Sequence, residues 1–158
     1  MSTEVADLHH RQVKPFFRNV KKELTKSPKV YFLDLGFLSL AKGIFPEEQK
    51  LEGGVLENAC FLRLKELDLV EQVRFWRSSS GAEVDFVLTS PKSGKVIPVE
   101  VKFAAPANKT VGKSLISFLT KYQSGQAIIW DYETEEREFL KTGAKIQILP
   151  YFLLPKIE

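Results

Sequence analysis

Glu57, Asp85 and Glu100, with Lys102 two positions further on, are the side chains whose types and spacing could do chemistry. Carboxylate oxygens suit a hard divalent ion such as Mg²⁺ or Mn²⁺. Asp85 lies in the run EVDFVL and Glu100 in PVEVK, two alternating stretches joined by Pro91-Lys92-Ser93-Gly94. A four-residue turn there closes Ser90 on Lys95 and sets Asp85 opposite Glu100 and Glu83 opposite Lys102. Two carboxylates opposed on one sheet face repel, so something positive must sit between them. Lys102 on the same face is one answer and a divalent cation is the other. A solvated sheet face with ordinary Glu–Lys pairing accounts for Glu83 and Lys102, but leaves the opposition of Asp85 and Glu100 unexplained.

The elements that hold these groups follow from periodicity. Residues 55–69 read as a helix whose apolar stripe is Leu56, Cys60, Leu64 and Leu67, and Glu57 falls inside that apolar sector. A carboxylate there is either paired, bound to a cation, or snorkelling to solvent. Strands are expected at 73–77, 83–88, 96–103, 126–131 and 145–154, a helix at 111–122, and an acidic irregular connection at 132–144. Val84, Phe86 and Leu88 with Ile97, Val99, Val101 and Phe103 form the expected core side, opposite Glu83, Asp85, Glu100 and Lys102. The order predicts an α/β fold with a central mixed β-sheet flanked by helices. Upstream, 1–13 reads as a flexible leader and 14–52 as a basic helix and connecting segment. That helix starts at Pro15 and stops at Ser27-Pro28, ahead of a short strand at 30–33 and a short helix at 35–45. Residues 53–158 form the core domain.

Length and charge limit the classes of function. The chain has 158 residues, 44% hydrophobic and 27% charged, which suits one globular domain. No apolar run reaches the roughly 20 residues of a membrane span, and no signal-peptide core opens the chain, so a cytoplasmic protein without membrane contact is expected. One cysteine excludes an internal disulfide and a cysteine zinc cage. Net charge is +3, but residues 11–29 alone carry +6. Lys14, Arg18, Lys21, Lys22 and Lys26 in that segment are candidates for phosphate contacts, the alternative being a solvated helix face.

The patterns GGVLEN at 53–58, GAEVDFVL at 81–88 and PVEVK at 98–102, with a Trp-Arg in the strand between them, resemble the PD-(D/E)xK nuclease superfamily, the restriction-endonuclease-like fold. More narrowly, with KPFFRNVKKELTKSPKVYFLDLG at 14–36, they resemble the C-terminal domain of unknown function that follows the ATPase module in prokaryotic AAA-type ATPases. The resemblance implies that Asp85, Glu100 and Glu57 hold Mg²⁺ or Mn²⁺, with Lys102 polarising the attacking water or the scissile phosphate. It implies nucleic acid, DNA foremost, as substrate, and an ATPase module as partner in cis or trans. No G-x-x-x-x-G-K-[ST] occurs, so no ATP site is expected in these residues. The rival readings are a catalytically idle module that binds nucleic acid or docks protein, and a structural appendage of an ATPase.

The remaining candidates have plainer explanations. Cys60 on its apolar stripe reads as an inert core thiol. Ser78-Ser79-Ser80 reads as a turn, and His9-His10 as incidental. Trp76 reads as core, although beside Arg74 and Arg77 it could stack on a base, and those two arginines join the nucleic-acid candidates. Asp131, Glu133, Glu135, Glu136 and Glu138 read as a solvated turn, since calcium-loop spacing is missing.

Overall fold

Alternating and fully apolar runs between Arg74 and Pro150 build a six-stranded mixed sheet. The computed structural model describes residues 9–16, 27–43, 53–66, 73–90, 92–103, 111–132 and 136–157. In chain order these form β1 (His10–Val13), β2 (Lys29–Phe32), α1 (Leu35–Ala41), α2 (Gly53–Glu66), β3 (Arg74–Arg77), β4 (Glu83–Thr89) and β5 (Val96–Lys102). There follow α3 (Lys113–Tyr122), β6 (Gln126–Asp131), β7 (Arg137–Lys141) and β8 (Ala144–Pro150). The large sheet has the order β3-β4-β5-β6-β8-β7, and β1 pairs with β2 in a separate two-stranded sheet. Hairpins join β3 to β4 and β4 to β5, whereas α3 provides the crossover that lets β5 and β6 run parallel. The α/β class with a central mixed sheet is as expected.

The register between β4 and β5 matches the turn argument, with Phe86 paired to Val99, Leu88 to Ile97 and Thr89 to Val96. The Ser90 N–H donates to the Lys95 carbonyl at 2.8 Å, and Gly94 takes the left-handed φ of 66° that the turn needs.

Both sheet faces are covered, which corrects the expectation of a single core side. Leu56, Cys60, Phe61 and Leu64 of α2 pack with Phe86, Leu88, Ile97, Val99, Ile128 and Trp130. Leu115, Phe118, Leu119 and Tyr122 of α3 pack on the other face with Trp76, Val84, Val87, Ile129, Ile146 and Ile148. Every residue of β6 is therefore buried, as a central strand between two helical layers requires.

Three further expectations are corrected. His10–Val13, read as part of a leader, is a strand, with His10 paired to Phe32 and Val13 to Lys29. Pro15 is extended and not a first helical turn: Lys14 to Phe16 run along β3, with the Phe16 N–H donating to the Phe75 carbonyl at 2.6 Å and the Phe75 N–H to the Lys14 carbonyl at 3.2 Å, while the rest of the expected basic helix, 17–26, lies outside the described residues. The stretch 132–144 is not irregular throughout, because β7 lies within it. A two-residue turn with both Thr142 (φ 52°) and Gly143 (φ 77°) left-handed returns β7 onto β8.

Candidate functional site

The position of Asp85 depends on a β-bulge. Arg74 pairs with Val87 but Trp76 with Val84, so Phe75 is opposed by two residues, Asp85 and Phe86. The extra residue breaks the alternation. Val84 and Val87 both face α3, Phe86 and Leu88 face α2, and Asp85 turns to the α2 side, where Glu57 waits. Strict alternation puts Asp85 on the side of Val87. At that point the β4–β5 ladder ends, and the Asp85 carboxylate accepts from the Val101 N–H at 2.8 Å. Burial, followed by the charge of Glu57, pushes the Asp85 carboxyl up to about 6, against the pull of the Val101 N–H and Lys29.

Glu57 is fixed by two strand residues. Its Oε1 accepts from the Lys29 Nζ at 3.0 Å and from the Tyr31 hydroxyl at 2.6 Å. Lys29 and Tyr31 are two apart on β2, so they share a face and reach the same carboxylate. The neighbouring Asn58 docks α2 onto β2. Its amide donates to the Phe32 carbonyl at 2.8 Å and accepts from the Phe32 N–H at 2.8 Å, replacing a missing strand partner.

Lys29 is the cation of this cluster. Beyond Glu57, its ammonium lies 2.5 Å from Glu83 and 3.9 Å from Asp85. Burial works against its charge, yet the three carboxylates outweigh burial and hold the ammonium above the ordinary lysine value. Glu83 also takes the Arg77 guanidinium at 2.7 Å. Burial alone would raise its carboxyl, but Lys29 and Arg77 hold it below the ordinary range. The expected Glu83–Lys102 pair is thus replaced by Glu83 with Arg77 and Lys29.

Lys102 pairs instead with Glu100. Glu100 is buried, and its Oε2 has no hydrogen-bond partner among the described residues. Its carboxylate lies against Gly112, the residue that opens α3, where an added Cβ would come 2.9 Å from Oε1 and 3.1 Å from Oε2. Glycine leaves the space, and the N-terminal end of a helix favours a carboxylate.

The four expected centre residues therefore fall into two linked groups. Glu57 and Asp85 share Lys29, Glu100 and Lys102 pair with each other, and Asp85 bridges the groups through the Val101 N–H. Among the described residues no three carboxylate, histidine or cysteine side chains converge on a metal position. A hard cation fits the donors of Asp85 and Glu100, one with a raised proton affinity and the other with an unsatisfied buried oxygen. It fits Glu57 less well, since Oε1 is committed to Lys29 and Tyr31.

Lys29, Tyr31, Asn58 and Gly112 are the positions that sequence reasoning missed. An Asn beside Glu on an apolar helix, and Lys and Tyr two apart after a Pro, were the available signals. Of the nucleic-acid candidates, Lys14 is exposed and Arg77 is held by Glu83, while Arg74 donates to the Val73 carbonyl at 3.0 Å. Arg18, Lys21, Lys22 and Lys26 lie outside the described residues. Trp76 is fully buried and donates to the Tyr122 hydroxyl at 3.1 Å, so it cannot stack on a base. Cys60 is fully buried, and burial pushes its thiol up, as an inert core residue requires. The serine turn is closed by the Ala82 N–H donating to Ser78 Oγ at 2.9 Å. Asp131, read as solvated, is the buried last residue of β6, and Glu138 belongs to β7, 3.2 Å from Lys145. No helix among the described residues is long and apolar enough to cross a membrane.

Fold and site define an α/β domain with a carboxylate-lysine centre where the β4–β5 ladder ends. Residues 52–153 match the family described as Domain of unknown function (DUF4143), and the chain belongs to that family. It is 30% identical over 123 residues to uncharacterized proteins of Mycobacterium bovis and Mycobacterium tuberculosis, a match covering 75% of this chain and 27% of each relative. The matched part thus spans about a quarter of those relatives' length. Among solved structures, one similar chain belongs to a half-complex of the Thermococcus gammatolerans McrB AAA+ hexamers with bound McrC. The TM-score is 0.41 and the identity 12%, over 66% of this chain and 30% of that one.

Proposed function

We propose that this domain is a PD-(D/E)xK-type phosphodiesterase module that works on nucleic acid, DNA by preference, beside an ATPase module in the cytoplasm. The observation that carries the reading is the Asp85–Val101 hydrogen bond, which ties an aspartate to the backbone between Glu100 and Lys102. It ties the Asp85 strand to the E-x-K strand, and the buried Glu100 Oε2, without a hydrogen-bond partner among the described residues, supports the reading as a further ligand oxygen. Asp85 and Glu100 would hold Mg²⁺ or Mn²⁺. Such an ion supplies Lewis acidity, acidifying a water and neutralising charge on a phosphate. Lys102, half exposed and paired with Glu100, would direct its ammonium to the phosphate or the attacking water. Glu57 positions the site through Lys29 and Tyr31 rather than holding the ion, and exposed Lys14 is a candidate for contact with the phosphate backbone.

A second reading, the catalytically idle module, is favoured by Lys29. An ammonium among three carboxylates already neutralises much of the charge that an ion would have to relieve. Thermal melts and plasmid nicking separate the two. In the nuclease reading Mn²⁺ raises the Tm of the wild type, Asp85→Asn loses that rise, and Lys102→Ala keeps the rise but loses cleavage. A wild type whose melting ignores Mn²⁺ removes the metal centre. Metal binding with intact nucleic acid favours the idle module.

A further inference from the structure

Three adjacent parallel strands end in register at one rim of the sheet: Lys102 of β5 pairs with Asp131 of β6, and Asp131 with Pro150 of β8. The residue after each strand is aromatic, namely Phe103, Tyr132 and Tyr151. Their rings form a ladder. Phe103 and Tyr132 are 5.9 Å apart and 8° from parallel, and Tyr132 and Tyr151 are 6.1 Å apart and 5° from parallel. Phe103 is 48% exposed and Tyr132 38%, while Tyr151, the third ring, is partly buried against the core below α2. Tyr151 anchors the ladder to the core, whereas core packing does not require Phe103 and Tyr132 to stand parallel to it on the exposed rim.

We infer that this ladder is a stacking platform for the bases of a single-stranded nucleic acid. The inference deepens the proposed function, on which it rests for the choice of nucleic acid, and names the substrate form. Three observations support it. Ring faces stack on any base, whereas a duplex hides its base faces. The ladder lies at the carboxyl ends of parallel strands, where α/β sheets gather ligands. Phe103 directly follows Lys102, so a base against Phe103 keeps its phosphate within reach of the rim that carries the ammonium.

Anisotropy of a labelled oligothymidylate, with its duplex as control and EDTA present to suppress cleavage, tests this with the full chain. The wild type should bind the single strand more tightly than the duplex. Phe103→Leu and Tyr132→Leu keep apolar area but lose the ring, and each should weaken binding roughly five- to a hundredfold, while Tyr132→Phe binds as the wild type. Leucine variants that bind like the wild type overturn the platform, as does preference for the duplex or no binding at all. Self-association lost in Phe103→Leu with unchanged oligonucleotide affinity overturns it in favour of a protein contact. The hydrolase reading fails separately: a wild type that binds the single strand but whose melting ignores Mn²⁺ removes the metal chemistry and leaves the platform.

Discussion

The Asp85 carboxylate accepts a hydrogen bond from the Val101 N–H at the point where the β4–β5 ladder stops. One side chain thus does what the next backbone carbonyl would do in a continued ladder, and this has two consequences. The strand edge stays satisfied although the strands part, and a carboxylate is held in a partly buried place beside Glu57.

That placement predicts an unusual pH dependence. The Asp85 carboxyl is raised from 3.8 to about 6, first by burial and then by Glu57. The folded state therefore holds this proton more tightly than the unfolded chain between about pH 4 and 6. Stability from Asp85 is full below that window and falls as pH rises through it, by about 3 kcal/mol in all. Asp85→Asn keeps an oxygen for the Val101 N–H and removes the charge. In urea titrations without metal it should match the wild type near pH 4 and equal or exceed it at pH 7.5. Glu83 and Lys29 titrate in both proteins, so the difference isolates Asp85. A wild type that gains on the variant as pH rises from 4 to 7 contradicts the argument.

Lys29→Met tests the cation of the cluster. The methionine keeps most of the apolar stem but leaves Glu57, Glu83 and Asp85 without the ammonium that touches them. All three are about a quarter exposed, so water softens the loss, and about 1–3 kcal/mol of stability should go at pH 7. Near pH 4 Glu83, whose carboxyl Lys29 helps to hold below the ordinary range, takes up protons and the deficit should shrink. A deficit equal at pH 7 and pH 4 means that Lys29 acts through its stem alone.

Asn58 is the hinge pin between α2 and β2. At 3% exposure it satisfies both the N–H and the carbonyl of Phe32. Asn58→Leu strands two backbone groups and should cost about 2–4 kcal/mol in urea unfolding. Asn58→Asp retains the acceptor, loses the donor and sets a charge against the Phe32 carbonyl, so it should be no better than leucine. An aspartate variant as stable as the wild type contradicts the amide pairing.

The sequence carries local geometry well and long-range pairing poorly. The Ser90–Lys95 turn was legible because Gly94 and its neighbours fix a loop length, and with it the register from Phe86 to Thr89. The β4 bulge was not, since nothing in EVDFVL marks which residue is extra, and alternation read straight through it. Lys29 looked like one more member of a basic segment. Its role depends on β2 lying beside α2, a contact across 28 positions of chain. Missing β7 had a different cause: Glu-rich residues before it masked a short edge strand, although Thr142-Gly143 is a turn signal. Helices α2 and α3 were legible by apolar spacing, but the sheet's second covered face was hidden by polar residues clustered near the site.

Gly112→Ala asks whether Glu100 works from its present position. The backbone of Gly112, at φ −58° and ψ 145°, is open to alanine, so the substitution brings no conformational strain. The added methyl instead meets the Glu100 carboxylate at 2.9 Å, inside van der Waals contact. The end of a side chain can swing away at small cost, so stability without metal should change by less than about 1 kcal/mol. The carboxylate that swings away leaves its place beside Asp85 and the start of α3. The Mn²⁺-induced rise in Tm should therefore shrink or vanish in Gly112→Ala, together with any cleavage. Gly112→Ala combined with Glu100→Asp, one methylene shorter, makes room again and should recover part of the metal response. If Gly112→Ala melts and responds to Mn²⁺ like the wild type, Glu100 is not a ligand in this position, and the cation must be sought at Asp85 alone.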